Sequence, residues 1–302
     1  MQPGIPQKEA TMDTQESARA RLLAALPVEE RRLDLAGIST AVLEGGEGPP
    51  VVLLHGPAAH AAAWMRVIPA LTRTHRVIAP DLPGHGASSA GRGRLDAERV
   101  LEWTGELIDR TCESPPALVG QLTGGAIAAR FAAGAGSRIN RLVLVVPLGL
   151  APFEPAPVFG AALMRYLGEP TGETHDELWE QCVHDLDALR AELGTRWEPL
   201  KAYNLDRIRT TRLLSAQEVL MEEFGLPAIP PETLSGIAVP TSLVWGRRDS
   251  VVPLSVGAAA SSRYGWPLHV LERTGNEPAL EAPDAFLQAL DVALGAREEV
   301  TA

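Results

Sequence analysis

The chain has 302 residues, of which 45% are hydrophobic and 22% are charged, and its formal net charge is −11. Length and composition are typical of one globular domain of the larger α/β kind, with room for an inserted subdomain. The acidic balance argues against nucleic acids and anionic membrane surfaces as partners, because both are polyanions that would repel the chain.

The N-terminal residues, the apolar runs and the cysteines are the features that predict the cellular compartment. Residues 1–15 are polar and lack an apolar segment of the kind found in secretory signals, so we expect a disordered tail there. No run of about 18 apolar residues occurs, so no membrane span is expected. Cys112 and Cys182 are too few for a disulfide framework or a zinc site, which predicts free thiols in the cytoplasm. The sequence leaves a single disulfide between these two cysteines as an alternative.

Short apolar runs punctuate the chain and alternate with helical patterns. They predict strands at residues 49–56, 75–81, 116–121, 139–150, 240–249 and 267–273, and residues 31–37 and 38–46 have the pattern of two short strands joined at Gly37. Helical spacing predicts helices at residues 62–71, 96–111 and 283–294, and a further helix after residue 121. Strands of buried type alternating with helices indicate a mostly parallel sheet covered on both faces.

The alternation stops between the sixth and seventh strands. Residues 151–236 begin and end with proline-rich stretches, and their middle has the pattern of several helices. We therefore expect residues 151–236 to form a helical cap inserted into a core made of residues 16–150 and 237–302. The cap would lie over the carboxyl ends of the strands.

Residues Ala117 to Phe131 read ALVGQLTGGAIAARF, an apolar strand that runs through a glycine into an alanine-rich helix. This is the outline of the strand-to-helix turn written G-x-S-x-G. Four further stretches fall in order along the chain: LLHG, VIAPDLPGHGASS, LVWGRRDSVVP and ERTGNEPALEAPDAF. Together the five motifs make the chain resemble the α/β-hydrolase superfamily, in its capped branch of epoxide hydrolases, esterases and C–C hydrolases. The resemblance implies an α/β-hydrolase fold with an eight-stranded, mostly parallel sheet, helices on both faces and a helical cap.

The same resemblance implies a catalytic triad, and two of its three positions carry unreactive side chains. The nucleophile position is Leu122, the acid position is Asp249, and the histidine position is Asn276. Leucine has no lone pair with which to form an acyl-enzyme, and an amide neither gives nor takes protons near neutral pH. The retained carboxylate alone does not make a serine-hydrolase triad.

The family's oxyanion hole is the second feature in question. The backbone N–H of Thr123, the residue after the nucleophile position, is available. The other donor comes from the loop that follows His55-Gly56, but the next residue is Pro57, which has no N–H. Ala58 would supply a donor if that loop were shifted by one residue. We expect Pro57, Ala58, Gln121, Leu122 and Thr123 to line the substrate site.

Several alternatives stay open for the chemistry. A shifted register would make Thr123 the nucleophile, although Gln121 is larger than such a turn prefers. His60 is the best remaining histidine for a base, because its loop lines the pocket in this fold. Asp249 is interpreted as a hydrogen-bond partner of Asn276, and otherwise as a carboxyl that titrates alone with a raised pKa.

These features lead to three hypotheses of function. The first is a protein without serine-hydrolase chemistry that binds a small apolar metabolite, and either sequesters it or promotes a cyclisation, elimination or isomerisation. The second is a hydrolase of esters, lactones, epoxides or C–C bonds that uses a displaced nucleophile or directly activated water. The third is a non-catalytic interaction protein. No cofactor and no metal ion is predicted, and the sequence leaves the oligomeric state open.

Overall fold

The computed structural model describes residues 18–295, so the tail expected at residues 1–15 and the last seven residues lie outside the described part. Eight strands form one sheet. Their bounds are β1 Glu29–Leu35, β2 Ile38–Gly45, β3 Pro50–Leu54, β4 Arg76–Pro80, β5 Ala117–Gln121, β6 Arg141–Val145, β7 Thr241–Gly246 and β8 Leu268–Leu271. The strand order is β1-β2-β4-β3-β5-β6-β7-β8. The predicted α/β-hydrolase fold class is confirmed.

Strand direction divides the sheet into an antiparallel edge and a parallel body. β1 pairs with β2, and β2 with β4, in antiparallel fashion, whereas β4, β3, β5, β6, β7 and β8 run parallel. Every residue of β3, β5 and β7 is buried, as expected of parallel strands covered on both faces. The carboxyl ends of these strands meet at one edge of the sheet, where ligands bind in open α/β folds.

Helices cover the sheet and fill the long connections. They are α1 (18–23), α2 Ile68–Leu71, α3 Ala97–Thr111, α4 Thr123–Ala135, α5 Pro157–Gly168, α6 Gly172–Cys182, α7 Leu186–Leu193, α8 Trp197–Ile208, α9 Thr211–Leu220, α10 Pro231–Ser235, α11 Leu254–Tyr264, α12 Pro278–Glu281 and α13 Pro283–Ala293. No helix within residues 18–295 is long and apolar enough to cross a bilayer.

The helix predicted over residues 62–71 is wrong in detail. The chain instead forms a 3₁₀ turn, Ala61–Trp64, and then the short α2. Pro69 explains the break, because a continuous helix would need its missing N–H to bond the Met65 carbonyl, and its ring would clash there.

The segment between β6 and β7 is helical, from α5 to α10, which agrees with the predicted insertion. Its core is aromatic: the buried His175 ring stacks on Trp179 at 5.4 Å and meets Trp197 edge-on at 5.8 Å. His175 lies wholly inside this cluster, where burial lowers its pKa to about 4, so it serves as a neutral packing residue.

A buried ion pair joins the N-terminal helix to both the sheet and the insertion. Arg19 in α1 pairs with Asp81 after β4 at 2.8 Å and donates to the Tyr203 hydroxyl in α8 at 3.1 Å. Asp81 is wholly buried and also accepts from the backbone N–H groups of Ala61 and Ala87. This network fixes the insertion against the core beside the loop that carries His60.

Candidate active site

The turn between β5 and α4 holds Leu122 in a strained conformation. Its φ is +47° and its ψ is −113°, in a region that side-chain-bearing residues rarely occupy. The turn closes so tightly that a Cβ at Gly124 would lie 2.5 Å from the carbonyl oxygens of Leu54 and His55. The glycines of the motif therefore fit the sharp strand-to-helix turn that the sequence predicts.

A hydrocarbon side chain occupies the tip of that turn. Leu122 is 7% exposed, and a side chain built at Gly56 would approach its Cδ1 atom to 3.2 Å. The leucine thus packs against the loop that follows β3. Its contact with that loop is apolar.

In the loop after β3, the backbone N–H of Ala58 is already engaged in a hydrogen bond. The Ala58 N–H donates at 2.9 Å to Oε1 of Gln217, an α9 residue, while Ala58 itself has a φ of +53°. Gln217 Oε1 also lies 2.9 Å from His85 Nε2. Ala58 was a candidate oxyanion donor only if the loop were shifted, and in the structure the side-chain amide oxygen of Gln217 already accepts its hydrogen.

Asp249 follows β7 and is 8% exposed. Its Oδ1 accepts from the backbone N–H groups of Val251 at 2.8 Å and Val252 at 2.9 Å. Its buried Oδ2 has no hydrogen-bond partner among residues 18–295. Burial is the main cause that raises the pKa of this carboxyl to about 7, against the two N–H groups, which lower it.

Asn276 follows β8, yet it does not pair with Asp249. Its side chain lies beside the Cys182 thiol, whose pKa it lowers, and its buried Oδ1 finds no partner in the described chain. The expected Asp249–Asn276 hydrogen bond is wrong. Asn276 lies instead against the end of α6, where its backbone N–H donates to the Cys182 carbonyl at 2.9 Å.

Both cysteines are free, and Cys182 lies at this site. Burial and the nearby carboxylates Glu277 and Asp249 raise the pKa of its thiol. Cys182 therefore stays protonated near neutral pH, which makes it a poor nucleophile.

His60 lies at the junction of core and insertion. Its ring meets Tyr203 edge-on at 4.7 Å, and its Nδ1 has no partner within residues 18–295. Burial lowers the pKa of His60 to about 4, partly offset by Asp81. The ring is neutral at pH 7, and so low a pKa makes it a weak base.

A small cavity of about 110 Å³ lies between the sheet and the insertion. Pro57, Ala58 and His60 line it from the core, and Trp179 and Cys182 line it from the insertion. Leu122, Gln121 and Thr123 are not among its lining residues in the described chain. Thr123 is 1% exposed, and its hydroxyl contacts Met221 Sδ at 3.5 Å.

Glu277 also lines the cavity, and sequence reasoning missed it. Gln121 links it to the β5–α4 turn, since the Gln121 Nε2 donates to Glu277 Oε2 at 3.0 Å and to the Asn276 carbonyl at 2.8 Å. Burial, with repulsion from Glu281 and Asp249, raises the pKa of Glu277 to about 7. The signal in the sequence was an acidic residue directly after Asn276, in TGNEP.

Comparison with known proteins identifies the family of this chain. Residues 51–289 match the model of the α/β hydrolase family. A 2-hydroxy-6-oxo-6-phenylhexa-2,4-dienoate hydrolase of Burkholderia cepacia is 31% identical over 80% of this chain and 86% of its own. A pimeloyl-[acyl-carrier protein] methyl ester esterase of Aeromonas hydrophila is 27% identical over 85% of this chain and 100% of its own.

A solved structure gives the same placement. The 2-hydroxy-6-oxo-6-phenylhexa-2,4-dienoate hydrolase of Rhodococcus sp. strain RHA1 superposes with a TM-score of 0.77 at 27% identity, over 89% of this chain and 99% of that one. The strand architecture and the order of the motifs therefore agree with the family that the sequence and structure comparisons indicate. The chain belongs to the α/β hydrolase family and is related to its meta-cleavage product hydrolases and esterases.

Proposed function

We propose that this protein binds a small, uncharged, largely apolar metabolite between sheet and cap, and promotes a step that needs no covalent nucleophile. Cyclisation, elimination and isomerisation are steps of that kind. The carrying observation is Leu122 at the strained tip of the β5–α4 turn, packed against Gly56. In a serine protease, loss of the nucleophile lowers kcat about 10⁶-fold, which corresponds to roughly 8 kcal/mol of barrier.

The neighbouring positions support the same proposal. Asn276 occupies the position at which the family resemblance implies the histidine, and its amide contacts Cys182. The Ala58 N–H is engaged by Gln217. A tetrahedral oxyanion would therefore find one fewer donor, and each such donor is worth about 100-fold or more in rate.

The cavity lining supports an uncharged ligand. Among the described residues that line the cavity, one carries a carboxyl group, Glu277, and none is a lysine or an arginine. The hydrolase from Burkholderia cepacia acts, by its name, on a dienoate, which carries a carboxylate. A carboxylate ligand would meet no cation in this lining. About 110 Å³ is close to the volume of an engineered cavity that holds benzene.

Hydrolysis by directly activated water is the second candidate, and the comparisons favour it. The relatives named above are a dienoate hydrolase and an esterase. A carboxylate beside the cavity would activate the water, and no acyl-enzyme would form. A non-catalytic interaction protein is the third possibility, and it predicts that no small molecule binds.

The test begins with intact-mass spectrometry after incubation with a fluorophosphonate, which labels activated serine and threonine. We expect no adduct on the wild-type chain. The matched control is the double variant Leu122→Ser with Asn276→His, which rebuilds a triad with Asp249 and should gain a stoichiometric adduct. An adduct on the wild-type chain would contradict the proposal, and peptide mapping would look first at Thr123.

A second measurement separates the two candidates. The folded wild-type chain is incubated with p-nitrophenyl acetate, and release of nitrophenolate is followed by absorbance. Turnover without a fluorophosphonate adduct would support direct hydrolysis by water. No turnover, together with a raised melting temperature in the presence of a small neutral ketone, would support the leading proposal.

A further inference from the structure

We infer that Glu277 is the group that transfers protons at this site, with one carboxyl oxygen held by Gln121 and the other left for the ligand. The inference rests on the proposed function, since it assumes that a ligand enters the cavity. It assigns to a residue outside the triad positions the acid–base work that Leu122 and Asn276 cannot do.

The hydrogen bonding of Glu277 is one-sided. Its Oε2 accepts from Gln121 Nε2 at 3.0 Å. Its Oε1 accepts no hydrogen bond from any residue in 18–295, and the side chain lines the cavity. The backbone around it is also fixed, because the Glu277 N–H donates to Glu281 Oε1 at 3.2 Å. A carboxyl held at one oxygen and open at the other is oriented for proton transfer to a bound molecule.

Other titratable groups near the cavity are less suited to this task. The carboxyl of Glu281 is occupied by three backbone N–H groups, those of Gly275, Glu277 and His184. Asp249 does not line the cavity in the described chain, and its Oδ1 holds two N–H groups. His60 is a weak base for the reason given above.

The electrostatic surroundings of Glu277 suit a carboxyl group that both takes up and releases a proton. Within the described chain, the titratable groups that interact with Glu277 or line the cavity beside it are Asp249, Glu281, Cys182, His60 and Tyr166. Burial of Glu277 disfavours a negative charge on its carboxyl group, and the nearby carboxyl groups of Asp249 and Glu281 disfavour it as well. The pKa of Glu277 therefore rises to about 7, the range in which a group serves as base and then as acid near neutral pH.

The step can be written for a neutral probe of about the cavity's size, cyclohex-3-en-1-one. The Glu277 carboxylate removes a proton from the carbon between the carbonyl and the double bond, and the C–H electron pair passes into a dienolate. The resulting carboxylic acid returns the proton to the far end of the former double bond. The product is the conjugated cyclohex-2-en-1-one, and nothing is consumed.

The experiment follows the ultraviolet absorbance of the conjugated ketone from pH 5 to 9, with the full chain. We expect the wild-type rate to rise with pH through a midpoint near 7, because the carboxylate is the base. Glu277→Gln should lose at least about 100-fold, the usual worth of general-base catalysis. Glu272→Gln is the matched control, since Glu272 is exposed and pairs with Arg247 on the neighbouring surface.

A positioning variant gives a readout that a structural role would not produce. The Gln121 amide lowers the pKa of Glu277 by donating to its carboxylate. Gln121→Leu removes that donor and should move the midpoint of the rate profile to higher pH. An unshifted midpoint would contradict the role of Gln121, and equal rates in wild type and Glu277→Gln would overturn the assignment of Glu277.

Binding is measured separately, from the melting temperature with and without the probe. A raised melting temperature without isomerisation by the wild-type chain would overturn this inference and leave the proposed function standing. An unchanged melting temperature would overturn the proposed function, and the inference with it.

Discussion

Replacing Asp249 by asparagine should stabilise the protein at alkaline pH. In the unfolded chain this carboxyl has a pKa of 3.8, whereas burial raises it to about 7 in the native state. The native state therefore holds its proton to higher pH, and stability is lost as the pH rises from about 4 to about 7. A shift of about 3 units corresponds to at most about 4 kcal/mol at pH 8.

The asparagine keeps the acceptor that the structure uses. Its Oδ1 can still receive the N–H groups of Val251 and Val252, so the turn after β7 loses neither hydrogen bond. The variant and wild type are compared by urea unfolding at pH 8 and pH 4.5. The expected gain is about 4 kcal/mol at pH 8 and about 1 kcal/mol at pH 4.5. Asp109→Asn is the control, because Asp109 is an exposed partner of Arg138.

Two results would refute this reasoning. A gain of the same size at both pH values would mean that titration of Asp249 is not its cause. A loss of stability at pH 8 would mean that the ionised carboxylate is favourable in the native state, so burial would not be the dominant influence on its pKa. Asp109→Asn should change stability by less than about 1 kcal/mol at either pH, as expected of exposed ion pairs.

Two further predictions concern stability, and calorimetric or urea unfolding checks both. Gly124→Ala should lower stability by more than about 3 kcal/mol, the order of a severe steric defect, because the new Cβ would lie 2.5 Å from backbone oxygens. Gly134→Ala is the control in the same helix: its Cβ would meet nothing within 4 Å, so the variant should add up to about 1 kcal/mol of stability. A similar effect of both would contradict the tight turn. Arg19→Met should cost about 3–5 kcal/mol by leaving Asp81 charged and buried, and a cost below about 1 kcal/mol would show that the pair does not hold the N-terminal helix.

Much of the fold was predictable from local pattern. β3, β5 and β7 appeared as short apolar runs, because strands buried on both faces have no polar side to interrupt them. The break within residues 62–71 was not foreseen, although Pro69 marks it. The parallel direction of strands β3 to β8 followed from their alternation with helices, which is a property of chain order.

The contents of the site were harder to predict, because they depend on contacts between distant segments. Gln217 reaches Ala58 across 159 positions, and Gln121 reaches Glu277 across 156. No local pattern reports such pairs. The same is true of Asn276, whose amide contacts Cys182 at the end of α6 and not Asp249.

The sequence by itself determined which chemical groups stand at the turn after β5 and after the last two strands, because the motifs fix those positions by order and spacing. It thereby determined that a leucine and an asparagine are there. Only the tertiary structure decided which groups are buried together, and burial sets the pKa of Asp249, Glu277 and His60. Desolvation depends on neighbours in space, so the order of residues alone could not show that the pKa of Glu277 is raised.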